Sequence, residues 1–510
     1  MPDVSKFGDL SRAEQEFADA CEAGETCTLG DGACPDADAG DDRVIRGALV
    51  RWFALGGGAK GLLHEKGVSL EGALISGHLD LSGSSSDCDL ELKSCRFQRK
   101  PQLKGTKLRS LSFAGSALPG LDAGGLRVDG QVALSDGFQA VGPVTLIRAK
   151  IGSDLDCRAG RFEAAEQDAL NADGAEIGGS VFLMGRRDEE AVTPFYCEGT
   201  ARFVSASIGD SFMVLDAVFK SGDRKYALSL ALAEIRRQLT LKNFVRFEGR
   251  LNLSGASTYS LNDSPADDHA PNDMILNGFE YVHFSAKAPT DVATRLDWLS
   301  RQNPEDYGQD FWLQPYSQLA RVLRAVGHDR DARKIRIEKE KRQGKVSLRL
   351  AWRERRWFGF AVSWIGDRFM RHVIGYGYKP HLSLAWMAVI LSATAWFFHE
   401  TWEAGDMTPA VAPILVSQAW QDTAQSHPVH TAAAWGEGPG KDYETFQPFA
   451  YAFDLFVPLV DLGQRDTWGP STERGPLGRV GWWLRWVIEI VGWVVTALAA
   501  AAVTGLVRRD

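Results

Sequence analysis

A short pattern of two apolar residues separated by one other residue recurs between residues 79 and 253. Its copies begin at residues 79, 90, 111, 132, 144 and 155, and again at 228, 239 and 251. Successive starts lie 11 or 12 residues apart, or about twice that distance. This fixed spacing predicts one short strand repeated many times, and a repeat of this kind decides the architecture of the chain.

Each copy suits one strand of a parallel β-solenoid. In a strand, residues i and i+2 share a face, so the outer residues of Leu79-Asp80-Leu81 point inward and the middle residue points to water. Isoleucine recurs at Ile75, Ile151, Ile177, Ile208 and Ile235, and most of these residues are followed by glycine. We expect each isoleucine side chain to point into the core. The glycine is expected to turn the corner, where a positive φ is cheap only for glycine.

The predicted fold class is therefore mainly β: a parallel β-solenoid (β-helix), followed by a helical linker and a C-terminal two-helix transmembrane hairpin. Two strands per coil give about 23 residues per coil, so residues 66–256 would form about eight coils, about 35–40 Å long. An antiparallel sandwich explains the alternation equally well. It explains neither the fixed period nor the shortage of hairpin signals such as Asn-Gly.

Charge is unevenly distributed over the 510 residues, and this divides the chain. Residues 1–42 hold twelve acids against two bases, whereas residues 321–379 hold seventeen Lys and Arg against six acids. The expected parts are an acidic flexible arm (1–42), a capping helix and loop (43–65), the solenoid (66–256), its end and a linker (257–310), a helical hairpin with a basic interfacial region (311–380), and a membrane hairpin (381–510) with an external loop (399–479).

Two uncharged stretches predict membrane spans. Leu382–Phe398 has seventeen residues and Ile490–Val507 has eighteen, so each helix would be about 26–27 Å long, close to the hydrocarbon thickness. Two buried core helices are the alternative. The flanking charges favour spans, because residues 399–445 carry seven acids and one lysine, whereas Lys and Arg precede the first stretch and follow the second. We therefore expect a multi-pass protein of an inner (cytoplasmic) membrane with both termini in the cytoplasm.

Several polar residues near these spans are candidates for a function inside the membrane. Residues 446–463 form an apolar segment interrupted by two prolines, and it would be re-entrant or interfacial. The candidate pore or intramembrane polar residues are Asp454, Asp461, Arg485 and Glu489. The alternative for the last two is that they sit at the outer interface or pair with each other. A helix-packing stripe of small residues, Ala497, Ala501 and Gly505, predicts self-association.

The sequence contains no strong motif for metal binding or catalysis. Cys21, Cys27 and Cys34 lack the spacing and the fourth ligand typical of a zinc site, and seven cysteines do not indicate a disulfide framework. The sequence indicates no catalytic residue, no metal site and no cofactor, and an enzyme is the less favoured interpretation. The basic region 345–379, rich in aromatic residues, favours anionic lipid as its partner, and no nucleic-acid partner is expected.

The chain resembles a family of bacterial membrane-anchored β-helix proteins with a pentapeptide-repeat-like architecture. The resemblance covers residue 43 to the end and is carried by Leu276-Asn-Gly-Phe-Glu-Tyr281, Arg295-Leu-Asp-Trp-Leu-x-Arg-Gln302, Gln314-Pro-Tyr-x-Gln-Leu-Ala320, Ala325-Val-Gly-His-Asp-Arg-Asp-Ala-Arg333 and Tyr376-Gly-Tyr-Lys-Pro380. It implies the architecture and carries over no catalytic residue. Some members are labelled membrane-associated oxidoreductase.

Three functions follow as expectations. The first is a membrane-tethered scaffold or sensor that binds an unknown protein partner at the cytoplasmic face through the polar middle residues of the triplets. The second is an oligomeric ion channel or permeability effector gated by the solenoid, since two helices alone cannot enclose a pore. The third, an oxidoreductase, rests on the resemblance alone.

Overall fold

The computed structural model describes residues 7–57, 64–187, 191–222, 225–353, 380–457 and 459–503. These residues fall into two compact units, Met1–Gln343 and Gly344–Asp510. The first unit holds thirty described β-strands, of which twenty-eight form one sheet. Its N-terminal elements are two helices and two strands, namely α1 (Arg12–Ala23), β1 (Cys27–Thr28), β2 (Val44–Arg46) and α2 (Gly47–Ala54).

The remaining strands of the first unit are mostly two to five residues long. In chain order they are β3 (Val68–Glu71), β4 (Leu74–Ser76), β5 (Asp89–Lys93), β6 (Arg96–Phe97), β7 (Lys107–Leu108), β8 (Ser110–Ser112), β9 (Ala117–Leu118), β10 (Leu121–Asp122), β11 (Arg127–Val128), β12 (Val132–Ala133), β13 (Gln139–Ala140), β14 (Val144–Thr145), β15 (Lys150–Ile151) and β16 (Leu155–Asp156). They continue as β17 (Arg161–Asn171), β18 (Glu176–Ile177), β19 (Val181–Met184), β20 (Arg186–Arg187), β21 (Val192–Thr193), β22 (Phe195–Arg202), β23 (Ser207–Ile208), β24 (Ser211–Lys220), β25 (Tyr226–Ser229), β26 (Glu234–Glu248), β27 (Arg250–Asn252), β28 (Ser257–Asp263), β29 (Met274–Ile275) and β30 (Glu280–Phe284).

These strands stack in parallel as a β-solenoid of about nine turns, which confirms the predicted parallel solenoid. Each coil has four sides, because the stacked strands form four ladders. The first ladder begins β2–β4–β6–β9–β13–β17, and the second runs β10–β14–β17–β22–β25–β27–β29. The third begins β7–β11–β15–β18–β23–β26, and the fourth begins β1–β3–β5–β8–β12–β16–β19–β24.

The expectation of two strands per coil is therefore wrong. Between the triplet strands β14 and β16 lies the two-residue strand β15, and such short strands form a ladder of their own. The residues expected as inward rungs are correctly placed, since Ile75, Ile151, Ile177, Ile208 and Ile235 are all buried. Aromatic side chains add a second inward column, in which the ring centroids of Phe138, Phe162, Phe195, Phe219 and Phe247 are successively 5.2–5.6 Å apart.

Three glycines in the third ladder permit close approach of the coils. A Cβ on Gly152, Gly178 or Gly209 would lie 2.1–2.3 Å from a carbonyl oxygen of the preceding coil. At these three positions the positive φ occurs instead in the turn before the isoleucine strand, for example at Arg148 and Ser205, so stacking of the coils and not the backbone angle requires the glycine. Gly77, after Ile75, has the expected positive φ of 71°.

Most of the variation in coil length lies at one side. The inward residue of the second ladder and that of the third are always seven residues apart, as in Val144 and Ile151. In contrast, Leu170 follows Val144 by 26 residues and Ala201 follows Leu170 by 31. The additional residues lie on either side of the first ladder and include the antiparallel hairpin β20–β21. Most of the inserted chain is thus confined to this side, and local register shifts, such as that between Glu163 and Asp168 of β17, accommodate it.

The N-terminal end of the solenoid is capped by α1 and α2. Ser11 and Glu14 form a capping box at the start of α1, and Glu14 also binds Arg46, with Nε–Oε1 and Nη2–Oε2 distances of 2.6 and 2.7 Å. Burial raises the pKa of Glu14, but the hydrogen bonds from Arg46 and Ser11 outweigh this effect and the net pKa is lowered. The carboxylate is thus held ionised within the cap.

The range 1–42, for which we expected a flexible arm, therefore contains folded elements. Phe17 and Cys21 of α1 are buried in the solenoid core, and β1 pairs with β3. Burial raises the pKa of the Cys27 thiol to about 11. All seven cysteines are free, and no group of metal-ligating side chains occurs among the described residues.

The C-terminal end is closed by helices after the last coil. They are α3 (Val292–Ser300), a 3₁₀ turn at Pro304–Tyr307, α4 (Gln314–Ala325) and α5 (Asp329–Arg353). Asp263 occupies the inward position that Leu241 holds one coil earlier, and its carboxylate accepts two hydrogen bonds of 2.7 Å from Arg295 of α3. The Arg295 guanidinium also lies 4.0 Å from the ring centroid of Phe284. This buried pair joins α3 to β28, near the end of the solenoid.

The second unit is helical. Its elements are α6 (Pro380–Glu403), β31 (Met407–Pro409), α7 (Ala412–Leu415), α8 (Gln418–Ser426), α9 (Thr431–Glu437), α10 (Pro448–Phe456), α11 (Gln464–Thr467), β32 (Trp468–Pro470) and α12 (Pro476–Val503). Strands β31 and β32 pair antiparallel. A cluster of aromatic rings packs beside them, comprising Trp402, Trp420, Trp435, Tyr443, Phe446 and Trp468.

We predict that replacing Arg295 by Met will destabilise the solenoid by about 3–5 kcal/mol, because the Asp263 carboxylate is left buried and unpaired. Thermal unfolding in detergent measures the change. Arg246→Ala, which removes an exposed ion pair with Glu248, is the control and should cost at most about 0.5 kcal/mol. Adding Asp263→Leu to Arg295→Met should recover part of the loss. Equal stability of the Arg295 variant and the wild type would contradict the capping role.

Candidate functional site

Helix α12 is the one helix in the described part of the chain that is long and apolar enough to cross a membrane, over Pro476–Ala497. Most of its exposed side chains are large and apolar, with Trp483 at 70% and Ile490 at 64% exposure. The start of this segment lies fourteen residues before the predicted Ile490. The predicted start is late because the criterion was an uncharged stretch, whereas the helix tolerates Arg479, Arg485 and Glu489.

The first predicted span, Leu382–Phe398, falls within α6. Helix α6 also exposes large apolar side chains, among them Trp386 and Trp396, while Phe398 is buried. The side chains of residues 380–384 lie outside the described part. The structure therefore supports one apolar helix of spanning length, and the second span and the two-helix hairpin stay predictions.

Helix α10 packs between α6 and α12. The ring of Tyr451 lies 4.8 Å from that of Phe398 on α6, measured between centroids. At the other end of α10, a Cβ on Gly492 of α12 would lie 1.9 Å from the carbonyl oxygen of Phe456. Only glycine permits this approach. It places the C-terminus of α10 beside the middle of the long apolar helix.

A second glycine of α12 shows how far along this helix the contact with the end of α10 lies. Gly481 lies beside Phe398 of α6 and Pro470 of β32. It therefore marks the end of α12 at which β31 and β32 pair. Eleven residues separate Gly481 from Gly492, which corresponds to about 16 Å along a helix. Helix α10 has nine residues and is about 14 Å long, and its C-terminus contacts α12 about 16 Å from Gly481. The re-entrant or interfacial position expected for residues 446–463 stays a prediction.

The chain returns from the end of α10 through residues 457–463, of which residue 458 lies outside the described part. Asp454, 1% exposed, fixes this return by accepting hydrogen bonds from the backbone N–H groups of Leu462 at 2.6 Å and Gln464 at 2.8 Å. The Gln464 side chain in turn accepts a hydrogen bond of 2.9 Å from the Gln447 backbone at the start of α10. We call residues 457–463 the return loop.

The predicted polar residues occupy different environments. Asp454 is buried and serves as a backbone acceptor, so it does not line a pore in this arrangement. Asp461 is exposed and accepts a 2.9 Å hydrogen bond from the Gly463 N–H. The Arg485 guanidinium lies 5.2 Å from the ring centroid of Trp486, and Glu489 is half-buried one helical turn further along α12.

The predicted small-residue stripe is only partly described. Ala497 is exposed on α12. Gly505 and the side chain of Ala501 lie outside the described part, as do residues 354–379 of the predicted lipid-binding region. Self-association through this stripe therefore stays a prediction.

Two structural residues of this unit were not predicted. Asp406 is buried and accepts a 2.9 Å hydrogen bond from the N–H of Gly478, which fixes the start of α12. Gly492 provides the contact with α10. The signal for Gly492 is a single glycine within a run of Trp, Val and Ile, a position at which a glycine in a helix usually marks close packing.

The solenoid unit carries a separate groove of about 490 Å³ between its third ladder and α4. Glu234, Glu280 and Arg321 supply charges around it, and Tyr259 is exposed within it. Gln318 joins the two walls of the groove, α4 and β30, since its side-chain amide donates a 2.6 Å hydrogen bond to the carbonyl oxygen of Tyr281. The groove offers a shaped surface with both charges and an aromatic ring.

Comparisons of the chain with protein-family models, with curated proteins and with solved structures found no match. The likeness to membrane-anchored β-helix proteins thus rests on the sequence motifs, and the solenoid architecture itself identifies no family.

We predict that Asp454→Ala will loosen the return loop by about 1–3 kcal/mol, because the amides of Leu462 and Gln464 lose a charged acceptor. Hydrogen exchange of residues 459–465 in detergent micelles measures this change as faster deuterium uptake. Asp466→Ala, at an exposed carboxylate of α11, is the matched control and should leave the uptake unchanged. Uptake at the wild-type rate in Asp454→Ala would show that another interaction holds the loop.

Proposed function

We propose that the chain is a membrane-tethered β-solenoid scaffold or sensor. In this proposal α6 and α12 form a transmembrane hairpin, and the solenoid lies at the cytoplasmic face of a bacterial inner membrane. The supporting observation is the row of large apolar side chains exposed on α12, which includes Trp483, Trp486, Ile490 and Trp493. Such a row is costly in water and favourable in lipid.

The distribution of charge supports the orientation. The segment between α6 and α12 is acidic over residues 399–445, whereas Lys and Arg are concentrated in residues 321–379 and recur at 508–509. Positive residues are retained on the cytoplasmic side. We therefore place the solenoid and both termini in the cytoplasm, with anionic lipid contacting the basic region 345–379.

The binding of a protein partner is proposed for the solenoid surface. Stacked coils form a long stiff face whose shape does not depend on the partner. The groove beside α4 is a candidate binding site on this face, because Glu280 and Arg321 supply opposite charges around it and Tyr259 supplies an exposed ring. A partner with both charges and an apolar residue would fit this surface.

An oligomeric channel is the second candidate, and the packing of α10 against both α6 and α12 favours it. A segment that enters the membrane between two spanning helices is a common way to line a pore with backbone groups.

The topology is tested with Glu437→Cys, which places a thiol on α9 in the acidic segment. In spheroplasts a membrane-impermeant maleimide should label this cysteine without permeabilisation. The native half-buried Cys34 and Cys88 of the solenoid are internal controls and should react only after permeabilisation. Labelling of Cys34 and Cys88 in intact spheroplasts would place the solenoid outside and overturn the proposed orientation.

The independence of the solenoid is tested by producing residues 1–343 alone. We expect a soluble monomer with the circular dichroism of a β-rich protein, because both ends of its core are capped within this range. The full chain should instead remain in the membrane fraction after carbonate extraction. Release of the full chain by carbonate would contradict membrane insertion, and an insoluble fragment would contradict the modular arrangement.

A further inference from the structure

Residues 459–462 of the return loop expose their backbone. Among the hydrogen bonds of the described residues, none reaches the carbonyl oxygens of Leu459, Val460, Asp461 or Leu462. The same stretch is exposed, with Leu459 at 79%, and Asp461 carries a carboxylate on it. Carbonyl and carboxylate oxygens are the groups that coordinate alkali and alkaline-earth cations.

The position of the return loop along α12 determines whether lipid, protein or water can surround it. Helix α10 ends beside Gly492, about 16 Å below Gly481 on α12. If α12 crosses the membrane, as proposed above, the loop lies at the level of the hydrocarbon. Non-helical backbone is not found there in contact with lipid, and it occurs only where other protein covers it or where it lines a water-filled cavity.

Two electrostatic features favour a cation in such a cavity. The C-terminus of α10 points into the loop, and a helix C-terminus carries a partial negative charge of about half an electron. The acidic segment 399–445, with seven acids against one lysine, lies on the side from which α10 descends. A negative entrance concentrates cations at the mouth of a pathway.

We propose that several copies of this chain assemble around a water-filled cation pathway, with the return loops facing the pathway and Asp461 as the residue that selects positive ions. Among the described residues of one copy, none covers residues 459–462, and in this proposal neighbouring copies enclose them. Asp454 acts as a positioning residue, because it holds the loop through the N–H groups of Leu462 and Gln464. This inference rests on the proposed membrane insertion of α6 and α12.

The test uses the full-length chain reconstituted in vesicles of phosphatidylethanolamine and phosphatidylglycerol. Flotation of the vesicles reports insertion, and native mass spectrometry reports the number of copies. Potassium and chloride fluxes are then compared for the wild type, Asp461→Asn and Asp466→Asn. Asparagine retains the acceptor for the Gly463 N–H, so the Asp461 variant removes the charge and preserves the loop.

We expect an oligomer of at least three copies that passes potassium in preference to chloride. Asp461→Asn should lower potassium flux or its preference over chloride by about tenfold, and Asp466→Asn should leave both unchanged. An inserted chain that is monomeric, that carries no flux, or whose flux and preference are the same with and without Asp461→Asn would overturn the pathway and leave the membrane tether intact. Vesicles that float without the chain would overturn the tether as well.

Discussion

Hydrogen bonding between successive coils is the constraint on which the solenoid depends. Each coil satisfies its backbone groups and buries its apolar residues only against the coil before and the coil after it. The first and last coils therefore need other partners. The chain supplies α1 and α2 at one end and α3 at the other, and it secures each end with a buried carboxylate and an arginine, Glu14 with Arg46 and Asp263 with Arg295. The length of the rod is set by these two closures.

The repeating triplets made the solenoid predictable, because burial with a period of two and a spacing of 11 or 12 residues are both visible in the sequence. The number of sides was not predictable in the same way. Strands such as Lys150–Ile151 contain one inward residue, which is too short for an alternation to be recognised. The fixed distance of seven residues between the second and third ladders is the signal that would have revealed them.

The N-terminal cap of the solenoid and the loop after α10 could not be predicted from the sequence. Acidic composition suggested a flexible arm, although Ser11 and Glu14 form a capping box and Phe17 and Cys21 share one face of the helix that follows. Asp454 and Asp461 look equivalent in the sequence, seven residues apart in one apolar segment. Which of them is buried as a backbone acceptor depends on the return of the chain past α10, and no local pattern encodes that return.

Because most extra residues lie on one side of the coil, that side of the solenoid can change in evolution while the other sides are kept. The corner between the second and third ladders keeps a constant length, whereas the side around the first ladder has accepted a hairpin and several longer crossings. Local register shifts at that side absorb the new chain, and the rungs of the second and third ladders keep their spacing of seven residues. Variation can therefore accumulate along one edge of the rod while the opposite edge keeps its shape, so a lineage of such proteins can acquire different recognition features without refolding its core.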